Sequence, residues 1–563
     1  MVDHVVKKVG RLSETPPADS GPREILSGRW KSLCSEFLPH HETGSLWRHR
    51  RGWLPTDPHQ GWKIHISATI LTACRILQAV GTYLTTTGAE FKAVASLGVL
   101  ENLNAGIFHG YSQIGKCITI YTNDEDQFSE IATKLYQLIP KNIAAPAVPF
   151  DVRYKDGNIY YRYGSFIAKP GTKPEIRRPD GEMVADRRDV AFPYWVKPPE
   201  HFDTYIDICP EPSPLTKRYR IDAAISQRGK GGVYLGTNIL LGNSQTVVIK
   251  EGRRDGETAW DGRDGRSRVE KEVENLRDLR AAGVDVPIVY EGFTAEANVY
   301  AVLENIPGEN LHKLTSRADC ELSPADTLYI CKQIAKILAD IHAAGWVWRD
   351  CKPANFILTS EKTVRPVDFE GSHRVNQPDP FVWSSPNFSA PEVFAANYTK
   401  DPRFPFAEDL YALGATLFYI NTGQIFRNTP QCSPDKAVRA ADTSNFAADT
   451  SNCAADASNC ATNSCSRAVD TSNCAANNYN CAADIHVRAT NNCDCAANNS
   501  VCFADKRERL ECTGLLESII YRLLSDSPAD RPSASEVYEQ ICLIEAHLVE
   551  QGVEPGIVSD VVE

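Results

Sequence analysis

Hydrophobic and polar positions alternate with period two in several short stretches and gather on one helical face in others. Gly61-Trp62-Lys63-Ile64-His65-Ile66-Ser67 alternates as a strand, with Lys63 and His65 on one face and Ile64 and Ile66 on the other. Ala68–Thr86 reads as a helix. The apolar run Ile66–Leu84 is broken by Arg75, Gln78 and several threonines, which predicts a core helix and not a membrane span. Glu90-Phe91-Lys92 begins a second strand, Gly115–Tyr121 is a third, and Asn158–Gly164 is a fourth, with a helix over Gln127–Leu138. Strands and helices in this mixture predict an α+β domain. Its strands carry Lys63, His65, Lys92, Lys116 and Arg162. A lysine on a strand is most often an edge charge, but this many cations with a histidine among them argue for a site.

The second half of the chain has its own pattern. Gly229-Lys230-Gly231-Gly232-Val233-Tyr234 has the glycines that let backbone N–H groups approach phosphate oxygens. A hairpin follows, ending in Val247-Val248-Ile249-Lys250. Arg266–Arg280 is a charged helix with Leu276 and Leu279 on its apolar side; Glu272 is the best partner there for Lys250, with Glu270 and Glu274 close enough to compete. Tyr300–Asn305 reads as a buried strand running into a hinge, and Gly308–Leu311 as the start of the next helix. Phosphoryl transfer to a hydroxyl needs a carboxylate beside the attacking oxygen, a cation on the moving phosphate, and an amide and a second carboxylate on a metal. Asp350, Lys352, Asn355 and Asp368 offer those groups in Trp348-Arg349-Asp350-Cys351-Lys352-Pro353-Ala354-Asn355 and Asp368-Phe369-Glu370-Gly371. Ser389-Ala390-Pro391-Glu392, Asp409–Gly414 and Asp530-Arg531-Pro532 complete the series. Alone, each reads as a turn or a solvated charge; the order makes the set specific.

On these motifs residues 215–545 resemble a eukaryotic-type Ser/Thr protein kinase. The resemblance implies a bilobal fold and a site for ATP or GTP with Mg²⁺. Asp350 would take the hydroxyl proton, with Lys352 on the phosphate and Lys250 paired to Glu272. Gly229, Gly231, Gly232 and Val233 would cover the nucleotide, Leu303, Glu304 and Asn305 would form its hinge, and Asn355 and Asp368 would hold the metal. Trp348 departs from the usual histidine, and Glu370 from the usual glycine, which is expected to stiffen its segment.

The amino-terminal strands, with Lys-x-His, Phe-Lys, Gly-Lys-x-Ile-Thr-Ile-Tyr and Tyr-x-Arg-Tyr-Gly, resemble the lyase domain of class III and IV lanthipeptide synthetases, which fuse it to a kinase in this order. That resemblance implies two steps on a ribosomally made precursor peptide: phosphorylation of Ser or Thr, then β-elimination of the phosphate. By position in the family motif Lys92 is the base and His65 the acid, Lys63 and Arg162 hold the phosphate, and Lys116 is a weaker candidate. Tyr111 stands where the family has a phosphate-binding arginine, with His109 nearby. The family's cyclase domain has no room before Glu563, so ring closure is expected from a separate cyclase or not at all. The domains expected are an extension (1–29), the lyase-like domain (30–168), a Pro-rich linker (169–214), the kinase domain (215–545) and a tail (546–563). A second reading keeps the kinase and makes the amino-terminal domain a dead lyase that binds peptide; a pseudokinase scaffold is opposed by the intact Lys250, Asp350, Asn355 and Asp368.

Composition changes the picture in two places. With 42% hydrophobic and 23% charged residues the chain is an ordinary globular protein, and its net charge of −12 argues against a nucleic-acid binder. Met1–Lys8 lacks the apolar core of a signal peptide, so a cytoplasmic enzyme without a membrane partner is expected. Half of the 18 cysteines fall between 432 and 502, in a drifting heptapeptide repeat near Ala-Ala-Asp-Thr-Ser-Asn-Cys. Its seventh position runs through Arg439, Phe446, Cys453, Cys460 and Arg467, which suits neither a coiled-coil seam nor paired zinc ligands. Residues 435–505 are therefore expected to be a disordered insertion between two kinase helices.

Overall fold

The computed structural model describes residues 21–167, 173–202, 215–239, 245–317, 322–380, 383, 385, 387–394, 400–427 and 514–550. Met1–Lys8, the repeat and the tail beyond 550 lie outside the described residues. Three hydrophobic clusters organise the rest, one in a mixed α+β amino-terminal domain and two in a kinase domain with a sheet-rich lobe followed by a helical one.

The amino-terminal domain is built on a six-stranded sheet. Its elements are α1 (Pro22–Phe37), β1 (Trp47–His49), β2 (Gln60–Ile66), α2 (Ala73–Thr86), β3 (Glu90–Val94), α3 (Leu97–Ala105), β4 (Ile118–Tyr121), α4 (Glu125–Leu138), β5 (Val152–Arg153) and β6 (Ile159–Ser165). The strand order is β1-β3-β4-β2-β6-β5. Ile64, Ile66, Phe91, Ile118, Ile120 and Tyr161 point into the core that α2 and α4 cover. A hairpin of β7 (Glu175–Arg177) and β8 (Met183–Ala185) follows.

Four local expectations differ from the structure. Helix α2 begins at Ala73, not Ala68, because Thr69 and Thr72 hydrogen-bond each other and Thr72 Oγ1 donates to Ala144 O at 2.8 Å, which competes with helical bonding. Lys116 is not on a strand: Gly115 has a left-handed φ of 78°, and the Lys116 N–H donates to Gln113 O, so pairing starts only at Ile118. Helix α1 reaches back into the expected extension, burying Leu26 and Trp30, and Trp30 Nε1 donates to Val94 O at 3.1 Å. The expected linker supplies the β7–β8 hairpin and packs Phe192, Val196 and Phe202 on the amino-terminal core, since apolar residues are interleaved with its prolines.

In the kinase half, β9 (Tyr219–Arg228), β10 (Gly231–Asn238), β11 (Thr246–Gly252), β12 (Val289–Ala295) and β13 (Asn298–Glu304) form an antiparallel sheet ordered β12-β13-β11-β10-β9. Helix α5 (Gly265–Ala281) crosses it, started by a capping box between Asp264 and Ser267. The helical lobe contains β14 (Glu309–Asn310), α6 (Leu311–Thr315), α7 (Pro324–Ala343), β15 (Trp346–Val347), β16 (Phe356–Leu358), β17 (Val364–Pro366), β18 (His373–Arg374), α8 (Ala407–Thr422), α9 (514–523) and α10 (Ala534–Glu550). Glu309 and Asn310 pair with β16 before Asn310 caps α6, so a short strand precedes the helix expected there. Among the described residues, no helix is long and apolar enough to cross a membrane.

Candidate functional site

Two polar centres stand out, one in each half. In the kinase half the sheet register sets Lys250 between Val233 on β10 and Ala301 on β13. Lys250 Nζ donates to both Glu272 oxygens, at 2.6 and 2.8 Å, and to Asp368 Oδ1 at 3.0 Å. Glu272 is buried on α5, whereas the Glu270 and Glu274 side chains are 47% and 67% exposed, so helical phase decides which carboxylate meets the lysine. Burial opposes charge on Lys250, but Asp368 and Glu272 hold its pKa well above the usual value. Burial likewise acts against the Asp368 carboxylate, and Lys250 and Lys230 overcome it, keeping its pKa below the usual range.

The turn carrying Asp350 is held from below. Asp409 on α8 is fully buried and accepts from the Trp348 and Arg349 N–H groups at 2.7 and 2.6 Å. Arg349 and Asp368 both adopt left-handed φ values, 67° and 70°, conformations that non-glycine residues keep only where the surroundings impose them. Asp350 accepts from Asn355 Nδ2 at 2.8 Å, Lys352 Nζ at 2.9 Å and Ser385 Oγ at 2.6 Å. Lys352 also donates to Ser385 Oγ at 3.0 Å. The sequence reading stopped at Ser389 and passed over Ser385, whose only signal is its place just ahead of that motif. Trp348 stacks on Phe369 at 5.0 Å and donates to Asp368 O, so it braces the segment. Leu303 is buried, and Glu304 N–H donates to Ile288 O at 2.8 Å, ahead of Asn305. Arg531 makes a two-pronged pair with Glu392 at 2.6 and 3.0 Å. The amide oxygen type of Asn355 and the carboxylate of Asp368 are hard oxygen donors, which suits Mg²⁺.

The glycine loop differs from expectation. Gly229 N–H donates to Ala105 O of the amino-terminal domain at 3.0 Å, and a Cβ on Gly229 would fall 1.6 Å from Asn104 O. Gly231 and Gly232 open β10. Glu370, beyond Asp368, is paired with Lys230.

The second centre lies on the polar face of the amino-terminal sheet. Directly opposed residues make two adjacent rows, Lys92–Thr119–His65–Tyr160 and Glu90–Tyr121–Lys63–Arg162. Lys116 joins them from its loop. Two buried aspartates that the sequence reading missed divide these cations. Asp151 accepts from His65 Nδ1 at 2.5 Å and Lys116 Nζ at 3.4 Å. Asp186 accepts from Arg162 Nη2 at 2.6 Å and lies 3.9 Å from Lys63 Nζ. Gly164 leaves room for it, since a Cβ there would meet Asp186 Oδ2 at 2.6 Å. Arg162 Nε is buried with no hydrogen-bond partner among the described residues.

Crowded cations lose protons easily. Burial, then Arg162, draws the Lys63 pKa down to about 7 despite Asp186. Burial, with Arg188 and Lys116, brings Lys92 to about 7. The Trp47 face, 4.1 Å from Lys92 Nζ, pulls the other way. Burial and Lys116 press His65 down to about 3 against the pull of Asp151, leaving a neutral ring. The Tyr111 ring lies 5.2 Å from the Arg253 guanidinium of the kinase half and 5.8 Å from the Phe150 ring, next to Asp151.

Comparison with known proteins agrees with this division. Residues 38–208 match the family described as the RamC N-terminal domain, and residues 219–541, more than half of the chain, match the protein kinase domain family. A probable SapB synthase of Streptomyces coelicolor is 30% identical over 370 residues, which is 61% of this chain but 39% of the Streptomyces protein. The Ser/Thr protein kinases pkn3 of Myxococcus xanthus and PknB (probable) of Corynebacterium glutamicum are 24% and 26% identical, each over 37% of this chain and over 38% and 32% of their own lengths. The chain thus spans well under half the length of each of these relatives. It belongs to the protein kinase family, with a Ser/Thr-kinase-type transferase domain carried behind a RamC-type amino-terminal domain, in a lanthipeptide synthetase-like architecture.

Proposed function

We propose that the chain phosphorylates Ser or Thr side chains of a precursor peptide and then eliminates the phosphate, leaving dehydroalanine or dehydrobutyrine. The observation that carries this reading is the second centre: Lys63, Lys92, Lys116, Arg162 and His65 converge on the polar face of a domain fused to a kinase centre. Such a cluster suits a phosphate, and Arg162 Nε, buried without a hydrogen-bond partner among the described residues, is a donor that one could satisfy.

At the kinase centre Asp350 accepts the proton of the attacking hydroxyl, and Lys352 and Lys250 face the charge of the transferring phosphate. Asn355 and Asp368 would hold Mg²⁺, which when bound supplies positive charge against the phosphate oxygens. Val233 on β10 and Lys250 on β11, with Leu303, Glu304 and Asn305 at the end of β13, would hold ATP or GTP.

At the amino-terminal centre Lys92, with a pKa near 7, is available in neutral form to take the Cα proton. The electron pair of that C–H bond forms the Cα=Cβ bond as the Cβ–O bond to phosphate breaks. Lys63 and Arg162 hold the phosphate, and His65 gives its proton to the departing oxygen. At rest the His65 ring is neutral with its proton on Nδ1 toward Asp151; Nε2 takes up the proton it later gives to the departing oxygen when the phosphate anion binds against the ring and raises its pKa. Asp151 orients the His65 ring through Nδ1, leaving Nε2 toward the substrate. The test supplies a phosphoserine form of a cognate peptide to the full chain without nucleotide. A product lighter by one phosphoric acid supports elimination; intact phosphopeptide refutes it.

One observation favours the second reading. Tyr111, at the position of the family's phosphate-binding arginine, serves the contact with Arg253 instead. If wild type phosphorylates a cognate peptide but leaves the phosphate in place, the amino-terminal domain is a peptide-binding module.

A further inference from the structure

The kinase half departs from its usual pattern at two places that meet in space. Glu370 follows Asp368-Phe369, and its carboxylate accepts from Nζ of Lys230, which projects from the glycine loop. Their side chains are 7% and 27% exposed, so the pair sits inside the cleft and not on its rim.

The main chain of this loop is held from outside. Gly229 N–H is taken by Ala105 O, and no side chain fits between Gly229 and the amino-terminal domain. Lys230 O accepts from Arg253 N–H at 2.8 Å, and Arg253 rests against the Tyr111 ring. A Cβ on Gly265, the first residue of α5, would fall 1.7 Å from Lys230 O, so the helix start closes the loop from that side. A phosphate loop ordinarily offers backbone N–H groups. Here one of them is occupied, and the Lys230 side chain is the group that enters the cleft. It sits beside the Asp368 segment, which Lys250 approaches at 3.0 Å.

Building on the nucleotide-site reading above, we propose that Lys230 is a phosphate ligand of that site, parked on Glu370 until the phosphates of a nucleoside triphosphate take the carboxylate's place. A flexible ammonium is suited to such an exchange, since it binds as a point charge without fixed geometry. The amino-terminal domain sets where the lysine starts, through Ala105 and Tyr111, so the nucleotide site is assembled by both domains.

The test is binding, not turnover, and uses the full chain. Calorimetry compares a non-hydrolysable triphosphate analogue with adenosine, with and without Mg²⁺. Lys230→Ala should weaken the triphosphate analogue by about tenfold or more, the size of one charge-assisted hydrogen bond, and leave adenosine unchanged. Lys230→Arg should keep most of the affinity. Glu370→Gln, which removes the competing carboxylate, should bind the analogue at least as tightly as wild type. The proposal is overturned if Lys230→Ala binds the analogue like wild type, if it loses adenosine equally, or if Glu370→Gln weakens binding as much as Lys230→Ala. The last result would make the pair a latch. A wild type that binds adenosine but gains nothing from the triphosphate overturns the Lys230 role alone. A wild type that binds neither nucleotide nor nucleoside overturns the nucleotide-site reading as well.

Discussion

Replacing Asp151 by Asn tests the amino-terminal centre most directly. The substitution keeps shape and removes one negative charge from a position that contacts His65 at 2.5 Å and Lys116 at 3.4 Å. A hydrogen bond to a charged group contributes ~1.5–3 kcal/mol. An amide oxygen can still accept from His65 Nδ1, so what is lost is the excess of the charge-assisted bond over a neutral one, ~1–1.5 kcal/mol; at ~1.4 kcal/mol for each tenfold in rate, elimination should slow by roughly tenfold. The same change leaves Lys116 without its carboxylate, which makes its charge costlier and adds to the effect. Asp350, Lys352 and their neighbours are in the other domain and should still work. Mass spectrometry of a cognate peptide with nucleotide should therefore show phosphopeptide accumulating in the variant where wild type gives the dehydrated product. Supplying phosphopeptide without nucleotide should show the same deficit. Dehydration at the wild-type rate would refute the role given to Asp151. Equal loss of phosphorylation and elimination, with a lowered melting temperature, would show only that the domain had been damaged.

Three further outcomes follow from the geometry. Asp350→Asn should remove the proposed proton acceptor and Asp368→Asn should weaken the proposed metal site, so each is expected to slow peptide phosphorylation by about 100-fold or more; radiolabel transfer checks this, and wild-type rates would reject the assignments. In kcat/KM, which reports the free protein, elimination from supplied phosphopeptide should pass through a maximum near pH 7, because Lys92 in its proposed role as base must be neutral, Lys63 in its proposed role on the phosphate must be charged, and both pKa values are drawn down to about 7; a profile with no rise on the acid side counts against Lys92. Phe37 is buried against Gly81, where a Cβ would lie 2.6 Å from its ring, so Phe37→Ala should cost ~3 kcal/mol or more in denaturant unfolding. A cost under ~1 kcal/mol would show that α1 is not part of the amino-terminal folding unit.

Local periodicity and motif order carried the part of the fold and the site that is legible along the chain. The alternation around Lys63 and His65 was enough to put both on the face opposite Ile64 and Ile66, and the register now carries Lys92 and Arg162 to the same face. The order of the kinase motifs was enough to select Lys250, Asp350 and Asp368 and the supporting Asp409 and Arg531. Turn chemistry was less legible: Gly115 and the Thr69–Thr72 pair moved Lys116 off its strand and delayed α2. The counter-ions were not legible at all. Asp151, Asp186 and Ser385 carry no periodic signal, and each matters only because the chain returns to place it against a distant cation or carboxylate. Lys230 and Glu370 are 140 residues apart, and no local pattern links them. Tertiary structure alone decided these pairings and the burial that goes with them. Burial removes water from around a charge, so the same fold that brings Lys63, Lys92 and His65 together also sets which of them keeps its proton.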